Sequence, residues 1–168
     1  MKIKIKQACE QDIKILEAIY LEAVNWLESI NNPMWDKDFV SWAGLSREFK
    51  IENFHIAYIN NEPAGCMALV DNAPFFWPEK IEKGAALFLR RLAVRRDFAG
   101  QGLSAGLFEY AAELCRERNI NALRLDCDSG IEKLNKIYED FGFICEKKEV
   151  LVIGGEEYPT AFYVYNIN

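Results

Sequence analysis

The chain has 168 residues, 51% of them hydrophobic and 13% aromatic, which suits one domain burying about 70% of the surface its unfolded form would expose. A formal net charge of -6 and a sequence pI of about 5.0 repel phosphate backbones, so nucleic acid is disfavoured and cationic partners are favoured. Five widely spaced cysteines with no CxxC pair, and one histidine, His55, offer neither a disulfide framework nor a metal site, so the expectation is a reduced, cytoplasmic protein without a metal.

Ile3 and Ile5, set among Lys2, Lys4 and Lys6, alternate as an edge strand with one wet face does. This amino terminus lacks a signal-peptide core, and no stretch approaches the roughly 18 apolar residues of a membrane span. With Asp12 as N-cap, Ile13, Leu16, Ile19, Tyr20, Ala23, Val24 and Leu27 recur at helical spacing until Asn31-Asn32-Pro33 stops the run. Residues 35–50 mix aromatics and charges with weak helical periodicity. Residues 54–59 and 63–70 read as a hairpin turning through Asn60-Asn61-Glu62. Residues 71–78 hold two prolines beside Phe75, Phe76 and Trp77, a loop with apolar content of the kind that lines pockets.

Residues 85–94 form an apolar strand interrupted by Arg90 and Arg91, followed by a glycine-bearing turn and a helix over 103–118. A strand at 122–126, a helix at 131–141 ending on Gly142, and two strands at 143–153 and 158–167 around Gly154-Gly155 complete the chain. There is no internal repeat and no linker. This order is neither strict alternation nor segregation, and it predicts a mixed sheet flanked by helices.

Two segments carry chemistry. From Leu89 to Ser104 a strand runs into Gly100 and Gly102 and at once into a helix. Glycine lets main chain approach a ligand, and a helix start leaves N–H groups without partners beside a positive dipole end, a combination that cradles phosphate. The same residues also suit a plain tight turn. The P-loop pattern GxxxxGK[ST] is absent, and Ala105 stands where a dinucleotide fingerprint needs its third glycine. The second segment, 123–143, is a strand, loop and helix in which Tyr138 lies one turn before the end.

Val94 through Ser104 is similar to the V-x-P-x-x-R-G-x-G-x-G-like loop of the GNAT N-acetyltransferase superfamily, and Ile137-Tyr-Glu-Asp-Phe-Gly-Phe143 resembles its L-Y-E-x-x-G-F helix. The blocks come in the family's order and near its spacing, and the likeness covers about residues 54–153. It implies an α/β fold over residues 1–168 as a single domain: a mixed, mostly antiparallel sheet of about seven strands with flanking helices and a central splay. The implied activity is transfer of acetyl from acetyl-CoA to a primary amine of a small molecule, by direct attack in a ternary complex.

By the same resemblance, main-chain groups of Leu92, Ala93 and Val94 pair with the pantetheine arm, and Ala99, Gly100, Gln101, Gly102, Leu103 and Ser104 receive the diphosphate. Ala99 and Ser104 depart from the family's arginine or glutamine and last glycine, so Arg95, Arg96 or Gln101 are candidates to replace the lost donor. Ile131 stands where an asparagine is frequent, which leaves Asn135 as a substitute contact. Tyr138 is placed to protonate the leaving thiolate, although a tyrosine at helical spacing also reads as packing. No carboxylate occurs over 85–94, where Phe88 takes the place of one, so Asp126 is the candidate base through water, with Glu79, Glu82, Asp128 and His55 as alternatives. Cys127 reads as a packed thiol. Trp35 and Trp77 are expected to wall the acceptor site, where aromatic faces suit a cationic amine. Two other readings stay open, a CoA-binding regulatory module without turnover and acetylation of a protein N-terminus or lysine. Family members often dimerise, which leaves a homodimer open.

Overall fold

A computed structural model describes residues 2–168. β1 (Ile3–Gln7) pairs antiparallel with β2 (Phe54–Ile59) and lies at an edge of the sheet, as its lysine-isoleucine alternation predicts. Asp12 does not cap the helix α1 (Ile13–Ser29): its carboxylate accepts from the Cys9 amide at 3.0 Å and from Lys6 Nζ at 2.9 Å. Those bonds close a 3-10 turn that leads into the helix, so the capping chemistry acts one turn earlier than the pattern suggests. α1 buries Leu16, Ile19, Tyr20, Val24 and Leu27 and stops where Asn31 turns left-handed at φ 54°.

The weakly periodic stretch holds two short helices, α2 (Lys37–Val40) and α3 (Trp42–Leu45). One turn is too short to show a period, and the legible signals are the caps: the Asp36 side chain accepts from Phe39 N at 2.7 Å and Ser41 Oγ from Gly44 N at 3.2 Å. β2 and β3 (Glu62–Val70) form the expected hairpin. Its turn needs only Asn60 and Asn61, at φ 51° and 65°, so β3 begins one residue early.

β4 (Leu87–Val94) is followed by α4 (Leu103–Glu117), β5 (Ala122–Asp128), α5 (Glu132–Phe141), β6 (Ile144–Ile153) and β7 (Glu156–Asn166). The seven strands run in the order β1-β2-β3-β4-β5-β7-β6. β4 and β5 are parallel, with Leu87 opposite Leu123 and Phe88 opposite Arg124, whereas β1–β2, β2–β3, β5–β7 and β6–β7 are antiparallel. The sheet is therefore mixed and mostly antiparallel with flanking helices. β5 runs two residues beyond the expected strand, which places Asp126 inside it and not at its end.

Two compact units divide the chain, one running to Leu69 and resuming over Arg91–Leu107, the other comprising Val70–Arg90 and Phe108–Asn168. The first has Tyr20, Phe54, Ile56 and Met67 at its heart, each wholly buried. In the second, β5 turns Leu123, Leu125 and Cys127 inward while Arg124, Asp126 and Asp128 stay partly exposed on the opposite face. α5 ends on left-handed Gly142 at φ 115°, where the amides of Gly142 and Phe143 return to Glu139 O and Tyr138 O. Among the described residues no helix is long and apolar enough to cross a membrane.

Candidate active site

In the first unit, β4 ends with Ala93 buried and Leu92 and Val94 half-buried. Gly65 lets β3 approach closely: a Cβ there would lie 2.7 Å from Ala93 O and 3.1 Å from Leu103 Cδ2. After a 3-10 turn over Arg96–Phe98, the chain passes through Gly100 and Gly102 at φ 75° and 77°. Nothing lies within 4 Å of a Cβ built on either glycine, so left-handed backbone, and not crowding, calls for glycine there. Hydrogen bonding of α4 is established by Gly106 N to Gly102 O at 3.1 Å. The amides of Leu103, Ser104 and Ala105 precede that bond, and helix geometry gives them no intrahelical acceptor. Buried Leu103 anchors this turn from below while Gly100, Gln101 and Gly102 are exposed. Amides without an intrahelical acceptor at the positive end of a 15-residue helix suit an anionic diphosphate.

The three candidate replacement donors are used in holding this loop. Glu22 of α1 accepts from Arg95 Nε at 2.7 Å and from the Arg96 amide at 2.8 Å, and the Arg96 guanidinium lies 3.9 Å over the Trp26 ring. Burial alone would raise the Glu22 carboxyl, but the Arg95 hydrogen bond, the Arg96 amide and both arginine charges outweigh it and hold the group below its ordinary value. Gln101 Nε2 donates to Asp97 O at 2.9 Å. Sequence reasoning missed Glu22, which lies 73 residues from Arg95. Nothing local marks a helix-surface glutamate as a clamp.

Trp35 is half-buried and packs edge-on against Tyr20 at 5.8 Å. Its face is 5.8 Å from the Arg91 guanidinium, which also lies over Phe39 at 4.2 Å and beside Glu48 at 3.3 Å. Arg91 is left-handed within β4, at φ 55°, and its carbonyl accepts from the Tyr20 hydroxyl at 2.7 Å. The cation over this aromatic group therefore comes from the chain itself.

In the second unit, Tyr138 is 5% exposed, held by Phe108, Phe143 and Tyr163 at ring distances of 5.6, 5.9 and 5.8 Å. Its hydroxyl makes no hydrogen bond among the described residues. Burial, then the nearby Cys127, Asp126 and Tyr163, push the phenol far above its ordinary value, so it keeps its proton well into the alkaline range. Tyr163, missed from sequence because it sits in an apolar strand, shares its proton between Asn135 Oδ1 at 2.8 Å and Glu139 Oε1 at 2.9 Å. Asn135 is fully engaged: Nδ2 donates to Asp128 O and Ile131 O, both at 2.8 Å, and Oδ1 also accepts from Cys127. Those bonds assign its side chain to fastening the loop between β5 and α5. Burial, with Asp126 and Asp128 beside it, pushes the Cys127 thiol up to about 12, which suits a packed thiol and not a nucleophile.

Asp126 is half-buried, with Oδ1 4.0 Å from Arg90 Nε. Phe88 is wholly buried, and Trp77 packs edge-on to it at 5.0 Å and to Phe162 at 4.9 Å. Trp77 is thus a core ring of its loop, 8% exposed, while Phe75, 86% exposed, is the ring that meets solvent. The two tryptophans belong to different units, as do Tyr138 and the glycine turn.

A family model described as the acetyltransferase (GNAT) family matches residues 16–143. The Bacillus subtilis N-acetyltransferase YesJ is 25% identical over 148 residues, which cover 81% of this chain and 78% of YesJ. A GNAT-family acetyltransferase from Listeria monocytogenes superposes with a TM-score of 0.73 at 21% identity, over 98% of this chain and 94% of that one. The structure of yncA from Salmonella typhimurium, solved with its cofactor acetyl-CoA, gives 0.67 at 16% identity, over 100% and 95%. At these identities the structural likenesses establish the fold.

Proposed function

The chain belongs to the GNAT acetyltransferase family and is an acyltransferase; from that premise we propose that it moves acetyl from acetyl-CoA to a primary amine of a small molecule by direct attack. The amides bordering Gly100, Gly102 and Ser104 receive the diphosphate, with Ala99 and Gln101 shaping the turn and the main chain of Leu92, Ala93 and Val94 lying along the pantetheine arm. Tyr138 protonates the departing thiolate, and Asp126 accepts the ammonium proton through water. Trp35 and Trp77 shape the acceptor side from within their own packed groups.

The observation that carries this reading is the Tyr138 hydroxyl, locked by aromatic packing and held in its protonated form by burial. A phenol held in that way supports a proton-delivering role. The test is thiol release from acetyl-CoA across a panel of amines, repeated with Tyr138→Phe. Slower turnover with unchanged acetyl-CoA affinity supports the proposal. A variant as fast as the parent sinks Tyr138 as the acid.

The engagement of Arg95, Arg96 and Gln101 within the loop favours one other reading, a CoA-binding module without turnover. It gains if CoA binds and no amine stimulates thiol release.

A further inference from the structure

We propose that Glu22 is a positioning residue for the cosubstrate: acting through Arg95 and Arg96, it holds residues 95–102 in the shape that receives the diphosphate, and so sets the affinity for acetyl-CoA. The inference rests on the diphosphate placement above, and not on turnover.

Gly100 and Gly102 permit the left-handed turn but do not enforce it, since glycine adopts either hand about equally well. Contacts outside the glycines must choose the loop's shape. At its far end the loop is fixed by the start of α4, where Gly106 N donates to Gly102 O. At its near end Glu22 commits both carboxylate oxygens, Oε2 accepting from Arg95 Nε at 2.7 Å and Oε1 from the Arg96 amide at 2.8 Å. A carboxylate that takes one side-chain donor and the next residue's amide fixes the direction of the chain as well as its place. Arg95 is tied to β3 as well, its amide donating to Ala64 O at 2.9 Å and Nη1 to Pro63 O at 3.2 Å. Trp26, one turn along α1 from Glu22, carries the Arg96 guanidinium over its ring. Behind them Leu16, Ile19, Tyr20 and Val24 are at most 2% exposed, which makes α1 a firm post. From the clamp the chain reaches the glycines through a closed 3-10 turn, with Ala99 N donating to Arg96 O at 3.1 Å and Gln101 Nε2 to Asp97 O.

Fold stability gives little reason for this carboxylate, and ligand charge argues against it. The Arg95 and Glu22 side chains are 33% and 31% exposed, and ion pairs so exposed contribute little to folding. A carboxylate beside an anion-binding loop repels the ligand, so by charge alone a neutral residue would serve better. What Glu22 supplies is two charged acceptors in fixed positions. A loop already fixed loses less freedom on binding, and its ligand binds more tightly for that reason. Charge and positioning therefore predict opposite signs. Neutralising Glu22 tightens acetyl-CoA if charge decides and weakens it if the shape of the loop decides.

The experiment titrates CoA into the unaltered protein, Glu22→Gln and Glu22→Asp, and measures amine-stimulated thiol release from acetyl-CoA and from S-acetylpantetheine, which has the thioester and the arm but no diphosphate. Glu22→Gln should raise Kd for CoA and KM for acetyl-CoA about fivefold, with kcat within about twofold. Its kcat/KM for S-acetylpantetheine should stay within about twofold of the parent's. Glu22→Asp keeps the charge on a shorter arm and should recover part of the loss. Unchanged or tighter CoA binding by a natively folded Glu22→Gln overturns the inference, and so does an equal loss with S-acetylpantetheine. If Glu22→Gln does not fold, Glu22→Asp is judged by the same two comparisons. If no amine stimulates release, the sign of the change in the CoA titration decides. An unaltered protein that uses S-acetylpantetheine as well as acetyl-CoA removes the diphosphate placement itself, and the inference falls with it.

Discussion

The glycine turn after β4 and the tyrosine of α5 are assigned parts of one reaction, yet they are built by opposite means. The turn would act through main-chain amides, and nothing lies within 4 Å of a Cβ built on either glycine. Tyr138 offers one side-chain hydroxyl from inside a cage of rings. A main-chain site tolerates side-chain change so long as φ is preserved, which is why Ala99 and Ser104 can depart from the family's pattern. A side-chain site depends on what surrounds it, because burial sets how far above its ordinary value the phenol is held.

That contrast breaks most sharply at Tyr138. Tyr138→Phe should slow turnover by about 10²- to 10³-fold, the range expected for loss of a general acid, while acetyl-CoA affinity by titration stays within about threefold. Because burial raises this phenol above its ordinary value of 10.0, its ionisation should cause no fall in kcat on the alkaline side up to that pH. An alkaline fall near neutrality that Tyr138→Phe abolishes would contradict the protonation state assigned here.

Asn135→Leu tests whether the second region's packing is what positions the acid. Asp128 O, Ile131 O and Tyr163 would each lose a partner, and urea unfolding should show a loss of about 2–3 kcal/mol. The first region should answer differently to its own lesion. Gly102→Val forces a β-branched residue into the left-handed region, at about 1–3 kcal/mol of local strain, and should raise KM for acetyl-CoA about tenfold with kcat at saturation nearly unchanged. A kcat defect as large as that of Tyr138→Phe would erase the distinction between the two regions.

The smallest effect is expected at the clamp behind the turn. The Glu22 carboxyl is depressed in the folded state, so its contribution is present above the ordinary value of 4.5 and is lost as pH falls through the folded value. The pair is about one-third exposed, so solvent screening limits the contribution to under about 1 kcal/mol. Thermal unfolding of Glu22→Gln should therefore lie slightly below the parent at pH 7 and converge with it in acid.

Much of this protein was legible as local pattern. Lysine-isoleucine alternation marks β1 as an edge, helical spacing marks α1, and glycine after a strand and before a helix marks the turn, because strand, helix and left-handed turn each write their period or their residue type directly into neighbouring positions. The short helices α2 and α3 were not legible, since one turn shows no period, and Asp12 misled because its carboxylate serves the 3-10 turn before the helix it precedes.

The sequence by itself determined the longer elements, the faces they bury and where a glycine turn and an α5 tyrosine stand. Only the tertiary structure decided that Glu22 clamps Arg95 from 73 residues away, that Asn135 fastens a loop, that Trp77 is core while Phe75 is exposed, and that burial raises the Tyr138 phenol. The reason is physical. Period and turn chemistry are properties of adjacent residues, whereas desolvation and hydrogen-bond partnership depend on which distant residues close around a group.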